Sequence, residues 1–196
     1  MELFIGTTSM LLWQSKKASN NLSERSMQYN LDGTFSYIED KYQDKSIFRK
    51  ISKSKAELEI IKILINKSNN KNIATYYRII IHNSPVAYID MELLLDINLT
   101  KFTNQEIKQI MSNVKTYLQS LGIIYIDWKP DNIGIGMNGE LKLFDFDCSG
   151  LIDINTGKWI IKPVKFHSYR KAISLGAKTP IEIDNCAFDF GFNDEE

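Results

Sequence analysis

The chain has 196 residues, of which 43% are hydrophobic, and its 24 basic and 24 acidic residues cancel. These values are those of a soluble globular protein with room for one large core or two small lobes around a cleft. The balanced charge gives no general attraction to nucleic acid or to anionic membranes. We expect no signal peptide and no membrane span, because the N-terminus lacks a basic leader and no apolar run is long enough. Cys148 and Cys186 have no metal or redox spacing, which indicates reduced thiols and a cytoplasmic setting.

The first half of the chain predicts the element order β, β, α, β, β. Segments 27–38 and 45–51 are rich in aromatic and branched residues, and we predict that they pair as a hairpin. Segment 52–67 predicts a helix, since Ser54 can cap it and apolar residues recur at helical spacing. Segments 73–82 and 84–95 predict two more strands around an Asn-Ser-Pro turn. This order suits a sheet with one helix packed on a face.

The second half begins with a strong helical signal. Thr103 is a plausible cap, an apolar stripe follows, and Gly122 ends the helix. Residues 123–126 predict a short buried strand, and 133–146 predict a hairpin closed by an Asn-Gly turn. Beyond Gly150 we expect a strand in 158–166, a short helix in 168–176 and a frayed acidic end.

Oxygen-bearing side chains end three apolar runs in this half. Asp127, Asn132 and Asp145 are such residues, and Lys129 adds a cation beside the first of them. Mg²⁺ prefers oxygen ligands, and phosphoryl transfer needs metal ligands, a positioned base and positive charge. Taken singly, these residues are equally typical of turns. Their combination favours a site for nucleotide phosphates and a metal.

Residues 124–132, IYIDWKPDN, resemble the catalytic-loop pattern HRDxKxxN of the protein-kinase superfamily, and Asp-Phe-Asp at 145–147 resembles its DFG motif. The resemblance implies an α+β, protein-kinase-like bilobal fold. A β-rich N-lobe would span 1–92, with 1–26 uncertain, and a truncated C-lobe would span 93–196. It also implies Asp127 as catalytic base, Lys129 as phosphate contact, and Asn132 and Asp145 as metal ligands.

The resemblance extends to the first half. It implies Lys50 as the strand lysine for the α/β-phosphates and Glu57 as its helical partner, with Glu59 as the near alternative. Alone, Lys50 fits an exposed strand lysine and Glu57 a capping box. The nucleotide would further contact a glycine-rich loop and a hinge behind the gatekeeper Met91. The residues implied are Gly33, Ser36 and Ile38 in the loop, and Met91, Glu92 and Leu94 at the hinge.

Several features depart from the family pattern. Tyr125-Ile126 replaces His-Arg, so we expect no switch by phosphorylation within 150–180. Gly33 stands alone where three glycines are usual, which predicts weaker nucleotide binding. Asp147 replaces glycine, as in small-molecule kinases related to aminoglycoside phosphotransferases and choline kinases, whereas Lys129 favours a protein kinase. Only about fifty residues follow Asp145, so we expect a reduced lower lobe and a rebuilt peptide-docking surface.

The resemblance therefore implies an ATP- and Mg²⁺-dependent serine/threonine protein kinase of reduced size. Such kinases occur in large DNA viruses and among bacterial effectors, which would place the protein in the host cytoplasm or a virion. The alternatives are a pseudokinase that binds a protein partner and a small-molecule kinase. The expected partners are a protein substrate or regulator and a second copy of the chain, with no nucleic acid and no membrane. We expect Trp128 to serve packing, and His82 and His167 to be structural or exposed.

Overall fold

The computed structural model describes residues 10–12, 25–29, 35–39, 47–81, 86–97, 102–164 and 166–192, the first three ranges by their backbone alone. Within these ranges the strands, in chain order, are β1 (Met10–Leu12), β2 (Arg25–Tyr29), β3 (Phe35–Glu39), β4 (Ile47–Ser52), β5 (Tyr76–Ile81), β6 (Ala87–Glu92), β7 (Leu95–Asp96), β8 (Ile123–Ile124), β9 (Ile133–Ile135), β10 (Leu141–Leu143), β11 (Gly150–Ile152) and β12 (Trp159–Ile161). The helices are α1 (Lys55–Lys67), α2 (Asn104–Ser120), α3 (His167–Ser174) and α4 (Pro180–Gly191). The α+β class predicted from the sequence is confirmed.

The largest sheet is antiparallel, with the spatial order β1-β4-β6-β5. Helix α1 follows β4 directly, and its first turn is capped as predicted because the Ser54 hydroxyl accepts from the Glu57 N–H. Ile60 and Ile61 of this helix are completely buried. The predicted helix and the strands on either side of it, β4, β5 and β6, are confirmed. The predicted count of two strands before the helix is wrong, because segment 27–38 is divided between β2 and β3 and β1 precedes both.

The expected hairpin between segments 27–38 and 45–51 is wrong in its pairing. Strand β2 pairs with β3 in a separate two-stranded sheet, with Met27 opposite Tyr37. Strand β4 instead lies between β1 and β6, so both of its edges are occupied by other strands. Local composition identified the strands but could not choose among these partners. The predicted Asn-Ser-Pro turn at 83–85 lies outside the described residues.

Helix α2 matches its prediction closely. Thr103 and Glu106 form a reciprocal capping box, and the helix buries Ile107, Met111, Val114 and Leu118. Gly122 follows with φ +75°, a left-handed conformation that favours glycine. The chain then enters β8, which leads straight to the segment 125–132.

The segment 125–132 connects two small three-stranded sheets, because β8 and β9 belong to different sheets. One has the order β10-β9-β7, and its β9–β10 hairpin turns at Gly139 with φ +84°, as the Asn-Gly pair predicted. The other has the order β12-β11-β8. Strand β12 and helix α3 also confirm their predictions.

Helix α4 was not predicted. It begins with a capping box in which Thr179 and Glu182 bond reciprocally, with Pro180 at its first position. The Thr-Pro-Ile-Glu sequence is itself a capping-box signature, so the local signal was present. Ile183, Ala187 and Phe188 pack into a hydrophobic core that is continuous with residues of the first half such as Phe48.

Among the described residues, none of the helices combines the length and apolarity needed to cross a bilayer.

Candidate active site

Three predicted residues meet at one buried point. The Lys50 ammonium donates to Glu57 Oε1 at 2.6 Å and to Asp145 Oδ1 at 2.5 Å. They come from β4, from the first turn of α1 and from the loop after β10, so the contact joins segments 95 residues apart in sequence. Glu59, the alternative partner, instead pairs with Lys62 on the surface. The structure therefore brings together Lys50, Glu57 and Asp145.

The Glu57 carboxylate has a second buried partner, because Oε2 accepts from the Ser52 hydroxyl at 2.5 Å. Its backbone N–H donates to Ser54, but its side chain turns away from the helix cap. The capping-box alternative for Glu57 is therefore wrong. Lys50 is likewise buried, with 4% of its surface exposed, so the exposed-lysine alternative is wrong as well.

Burial alone would lower the pKa of Lys50, but the charges of Glu57 and Asp145 outweigh it and raise the pKa overall. Lys50 is thus a permanent cation held between two carboxylates.

Asp127, Lys129 and Asn132 form a second cluster on the segment between β8 and β9. The Asn132 amide donates to the Asp127 backbone carbonyl and to Asp127 Oδ2, both at 2.9 Å. Lys129 Nζ lies 2.9 Å from the same carboxylate oxygen and keeps 38% of its side chain exposed. Partial burial would lower the pKa of Lys129, but its hydrogen bond and charge contact with Asp127 raise it overall. The Asn132 amide therefore fixes the Asp127 carboxylate from the protein interior, and the Lys129 ammonium contacts the same carboxylate from the solvent side.

The two clusters are joined by a backbone hydrogen bond in which the Phe144 N–H donates to the Asn132 carbonyl at 3.0 Å. Asn132 and Asp145 therefore lie on neighbouring chain segments.

Two non-glycine residues beside these clusters have positive φ, Ile126 at 71° and Asp145 at 60°. Such conformations cost on the order of 1–2 kcal/mol each and persist only where the surroundings enforce them. For Ile126 the enforcing contact is a hydrogen bond from its N–H to Asp184 Oδ1 at 3.0 Å. The turn that presents Asp127 is therefore held by a residue of α4.

Asp184 is the residue that sequence reasoning missed. It is completely buried, and it also accepts from the Trp128 indole N–H and from the Gln119 amide, both at 2.8 Å. Burial raises its pKa, although these three donors act in the opposite direction. In the sequence, Asp184 lies among apolar residues on one face of an amphipathic segment, which could have indicated a buried acid. The signal was not used because α4 itself was not predicted.

Aromatic side chains also pack around the segment 125–132. The Tyr125 hydroxyl donates to the Phe144 carbonyl at 2.5 Å, and its ring packs edge-on against Phe146. Trp128 is 2% exposed and packs edge-on against Phe188 of α4, which is the packing role we expected. Tyr125 thus ties the segment to the residue before Asp145 where the family pattern has histidine.

The hinge residues differ in how they are placed. Met91 and Leu94 are buried, each 2% exposed. The Glu92 carboxylate accepts from Lys142 at 2.7 Å and from the Thr75 N–H at 2.5 Å. The Glu92 backbone N–H also donates, to the Thr75 carbonyl at 2.9 Å, and the contact of Glu92 with a nucleotide stays a prediction.

The remaining predicted residues are less informative. Ser36 and Ile38 lie on β3, whose side chains are not described, and Gly33 lies outside the described residues. His82 also lies outside them, and His167 is exposed at the start of α3. Burial and the charge of Asp145 raise the pKa of Asp147, the third residue of the Asp-Phe-Asp motif.

The donor set is suited to a magnesium ion that arrives with a nucleotide. Asn132 and Asp145 supply amide and carboxylate oxygens, the ligands that Mg²⁺ prefers. No group of three or more His, Cys, Asp or Glu residues is arranged to hold a metal in the part of the chain that the structure describes. Mg²⁺ commonly takes one or two protein ligands and completes its shell with phosphates and water. The residues present therefore fit a metal–nucleotide complex better than a self-contained metal site.

The amino-acid sequence of the chain is similar to those of protein kinases. No protein-family model matches the chain. The chain is 30% identical over 158 residues to the mitogen-activated protein kinase spm1 of Schizosaccharomyces pombe, covering 66% of this chain and 37% of that kinase. It is 58% identical over 33 residues to the serine/threonine-protein kinase OXI1 of Arabidopsis thaliana, which is 17% of this chain and 8% of that protein. The chain thus matches well under half of the length of either relative.

A crystal structure of the yeast RNA Pol II CTD kinase CTDK-1 complex aligns with 15% identity and a TM-score of 0.47, covering 72% of this chain and 51% of that one. The two relatives are eukaryotic kinases, so the viral or bacterial type suggested by the sequence stays a prediction. The sequence similarity to these kinases supports a protein-kinase-like family for the chain.

Proposed function

We propose that the protein transfers the γ-phosphate of ATP to serine or threonine side chains of a protein, with Mg²⁺ as cofactor. The observation that carries the proposal is the buried contact of Lys50 with Glu57 and Asp145, next to the Asp127–Asn132 cluster. Phosphoryl transfer depends mainly on positioning and charge stabilisation, and these residues supply a fixed cation, two metal-type oxygens and a base.

The nucleotide would lie between an N-lobe formed by 1–92 and a C-lobe formed by 93–196. In this proposal the Lys50 ammonium would exchange Asp145 for the α/β-phosphates while it keeps its hydrogen bond to Glu57. Gly33, Ser36 and Ile38 would cover the phosphates, and Met91, Glu92 and Leu94 would line the adenine. Asn132 and Asp145 would hold Mg²⁺, which when bound neutralises charge on the β- and γ-phosphates.

Asp127 would orient the acceptor hydroxyl and receive its proton, because its carboxylate is fixed by Asn132. Lys129, partly exposed beside it, would neutralise charge on the transferred phosphoryl group. A lysine at this position favours a protein acceptor over a small molecule, and both curated relatives are named as protein kinases.

The test is turnover of labelled ATP with Mg²⁺ and a mixture of protein acceptors. Asp145→Ala should abolish Mg²⁺-dependent turnover. Asp131→Ala is the matched control, since Asp131 is an exposed acid on the same segment and holds no proposed ligand. Unchanged turnover in Asp145→Ala, with Asp131→Ala also active, would exclude the proposed enzyme.

A second candidate is a pseudokinase that binds a protein partner through the same fold. It is favoured by the lone Gly33 and by the direct Lys50–Asp145 ion pair, which satisfies the lysine without any nucleotide. A small-molecule kinase would instead phosphorylate a sugar, choline or nucleoside and leave proteins unmodified. The choice of acceptor in the turnover assay separates these three functions.

A further inference from the structure

The Glu57 carboxylate is held by two donors, one on each oxygen. Oε1 accepts from the Lys50 ammonium at 2.6 Å, and Oε2 accepts from the Ser52 hydroxyl at 2.5 Å. The terminal torsion of a glutamate side chain has a broad energy minimum, so a contact with one oxygen leaves the orientation of the carboxylate poorly defined. Because both oxygens have a partner here, the plane of the carboxylate is fixed.

Ser52 is itself held in place for this contact. It is the last residue of β4, lies opposite Ala87 of β6 and is 3% exposed. Its hydroxyl oxygen accepts from the Ser54 N–H at 3.2 Å while the hydroxyl donates to Glu57. Since side chains alternate along a strand, Lys50 and Ser52 project from the same face of β4 and can contact one carboxylate.

The connection between β4 and α1 is short, because residues 53 and 54 alone separate Ser52 from the first residue of the helix. The Ser54 hydroxyl accepts from the Glu57 N–H and fixes the backbone of Glu57, whereas Ser52 fixes its side chain. Backbone and carboxylate of Glu57 are therefore attached to the same turn. These two contacts involve neither Asp145 nor a nucleotide.

The Ser52 hydroxyl also favours the charged form of Glu57. Burial raises the pKa of this carboxyl overall, although the charge of Lys50 and the hydrogen bonds from Lys50 and Ser52 act in the opposite direction. In the proposed mechanism the Lys50 ammonium exchanges Asp145 for phosphate, and Glu57 is then the carboxylate that holds it. A displaced or neutral Glu57 would leave the ammonium without a defined position.

We infer that Ser52 is a positioning residue for phosphoryl transfer, because its hydroxyl orients Glu57 and, through Glu57, the Lys50 ammonium. This inference rests on the proposed function and adds to it a residue that does not touch the nucleotide. A hydroxyl that served merely to satisfy a buried oxygen would affect stability alone. A positioning hydroxyl also affects kcat, and it does so only while Glu57 is present.

The inference is tested by the kcat of ATP turnover in a set of variants, with urea unfolding to show that each variant is folded. Ser52→Ala should lower kcat roughly tenfold or more, because a hydrogen bond to a charged group is lost. Ser52→Thr keeps the hydroxyl at a strand position that suits branched residues, and it should restore most of the turnover. Ser54→Ala is the matched control. It should lower the free energy of unfolding through the lost helix cap but reduce kcat less than Ser52→Ala does.

Glu57→Ala provides the second background for the comparison. There, Ser52→Ala should change the residual turnover by less than about twofold, because the group through which Ser52 acts is absent. The same loss in both backgrounds, or unchanged kcat in Ser52→Ala, would overturn the inference while leaving the proposed function intact. Equal losses of kcat in Ser52→Ala and Ser54→Ala would also overturn it, since the hydroxyl would then have a structural role. Absence of phosphate transfer by the unmodified protein would instead contradict the proposed function and, with it, the role of Ser52.

Discussion

Asp184 shows how one buried carboxylate can organise a segment that contains a proposed catalytic residue. Its three hydrogen-bond donors are the Ile126 N–H, the Trp128 indole and the Gln119 amide, and none of them is charged. A buried carboxylate among neutral donors is costly as an anion, in agreement with its raised pKa. We therefore expect the hydrogen-bond-accepting oxygens of Asp184 to matter more for stability than its negative charge.

This view predicts different costs for two substitutions. Asp184→Ala leaves three buried donors without an acceptor and should lower the free energy of unfolding by about 2–4 kcal/mol. Asp184→Asn keeps an oxygen toward Ile126 and Trp128 but turns an amide donor toward Gln119, so it should cost about 1–2 kcal/mol, less than Asp184→Ala. Urea unfolding measures both. Equal losses in the two variants would mean that the charge of Asp184, and not its oxygens, is required.

The raised pKa of Asp184 also predicts a pH dependence. Because the folded-state pKa lies above the unfolded value, the native state binds the proton more tightly. The resulting stabilisation is complete below the unfolded pKa of about 4 and is lost as pH rises through the folded pKa. The free energy of unfolding of the unmodified protein, relative to Asp184→Asn, should therefore fall as pH is raised from about 4. A difference that is flat or rises with pH would contradict this.

At the scale of secondary structure, α4 acts as a support for the segment 125–132. Gly191, its last residue, lies so close to Trp128 that an added Cβ would be 1.9 Å from the Trp128 carbonyl oxygen. A backbone atom cannot move aside as a flexible side chain can. A side chain added at Gly191 must therefore displace either α4 or the segment 125–132.

Gly191→Ala should consequently lower stability by about 1–3 kcal/mol through overpacking and reduce ATP turnover, because Trp128 adjoins Asp127. Gly139→Ala is the matched control. It introduces the same methyl group at the tip of the β9–β10 turn, where nothing lies within 4 Å, and costs about 1–2 kcal/mol for its φ of +84°. Turnover should survive in the control. Equal turnover in both variants would show that α4 does not position the segment.

Elements that are determined by residues close in sequence could be predicted, and those that depend on distant segments could not. The Ser54 and Thr103 caps and the turn at Gly139 were predicted because each needs only neighbouring residues. The partner of β4 was predicted wrongly because strand pairing is decided by distant segments. Among site residues, the family resemblance implied Lys50, Glu57 and Asp145, whereas Asp184 contacts a segment more than fifty residues earlier in the chain and lies on a helix that was not predicted.

On the scale of the whole molecule, the contact of Lys50 with Asp145 joins the sheet of β4 to the loop after β10. A nucleotide bound in the proposed way would contact both parts and stabilise them together. At a hundred times its dissociation constant it should raise the free energy of unfolding by roughly 2.7 kcal/mol.

Thermal denaturation with millimolar ATP should therefore show an upward shift that requires Mg²⁺. Asp145→Asn keeps the shape of the side chain and should lose the Mg²⁺-dependent part of the shift, since the proposed metal ligand becomes neutral. ATP without Mg²⁺ serves as the reference for both proteins. No shift in the unmodified protein would favour the pseudokinase over the enzyme.

The hydrogen bonds of Asp184 connect residues that are far apart in sequence, and this affects the order in which the chain folds. Its hydrogen bonds to Ile126 and Trp128 span 58 and 56 residues, so the segment of Asp127 cannot adopt its strained turn until α4 has formed and docked. During synthesis the segment of Asp127 is therefore expected to take shape only after α4 has left the ribosome. In native-state hydrogen exchange, the Ile126 amide should open together with α4 rather than with β8, its own neighbour in sequence.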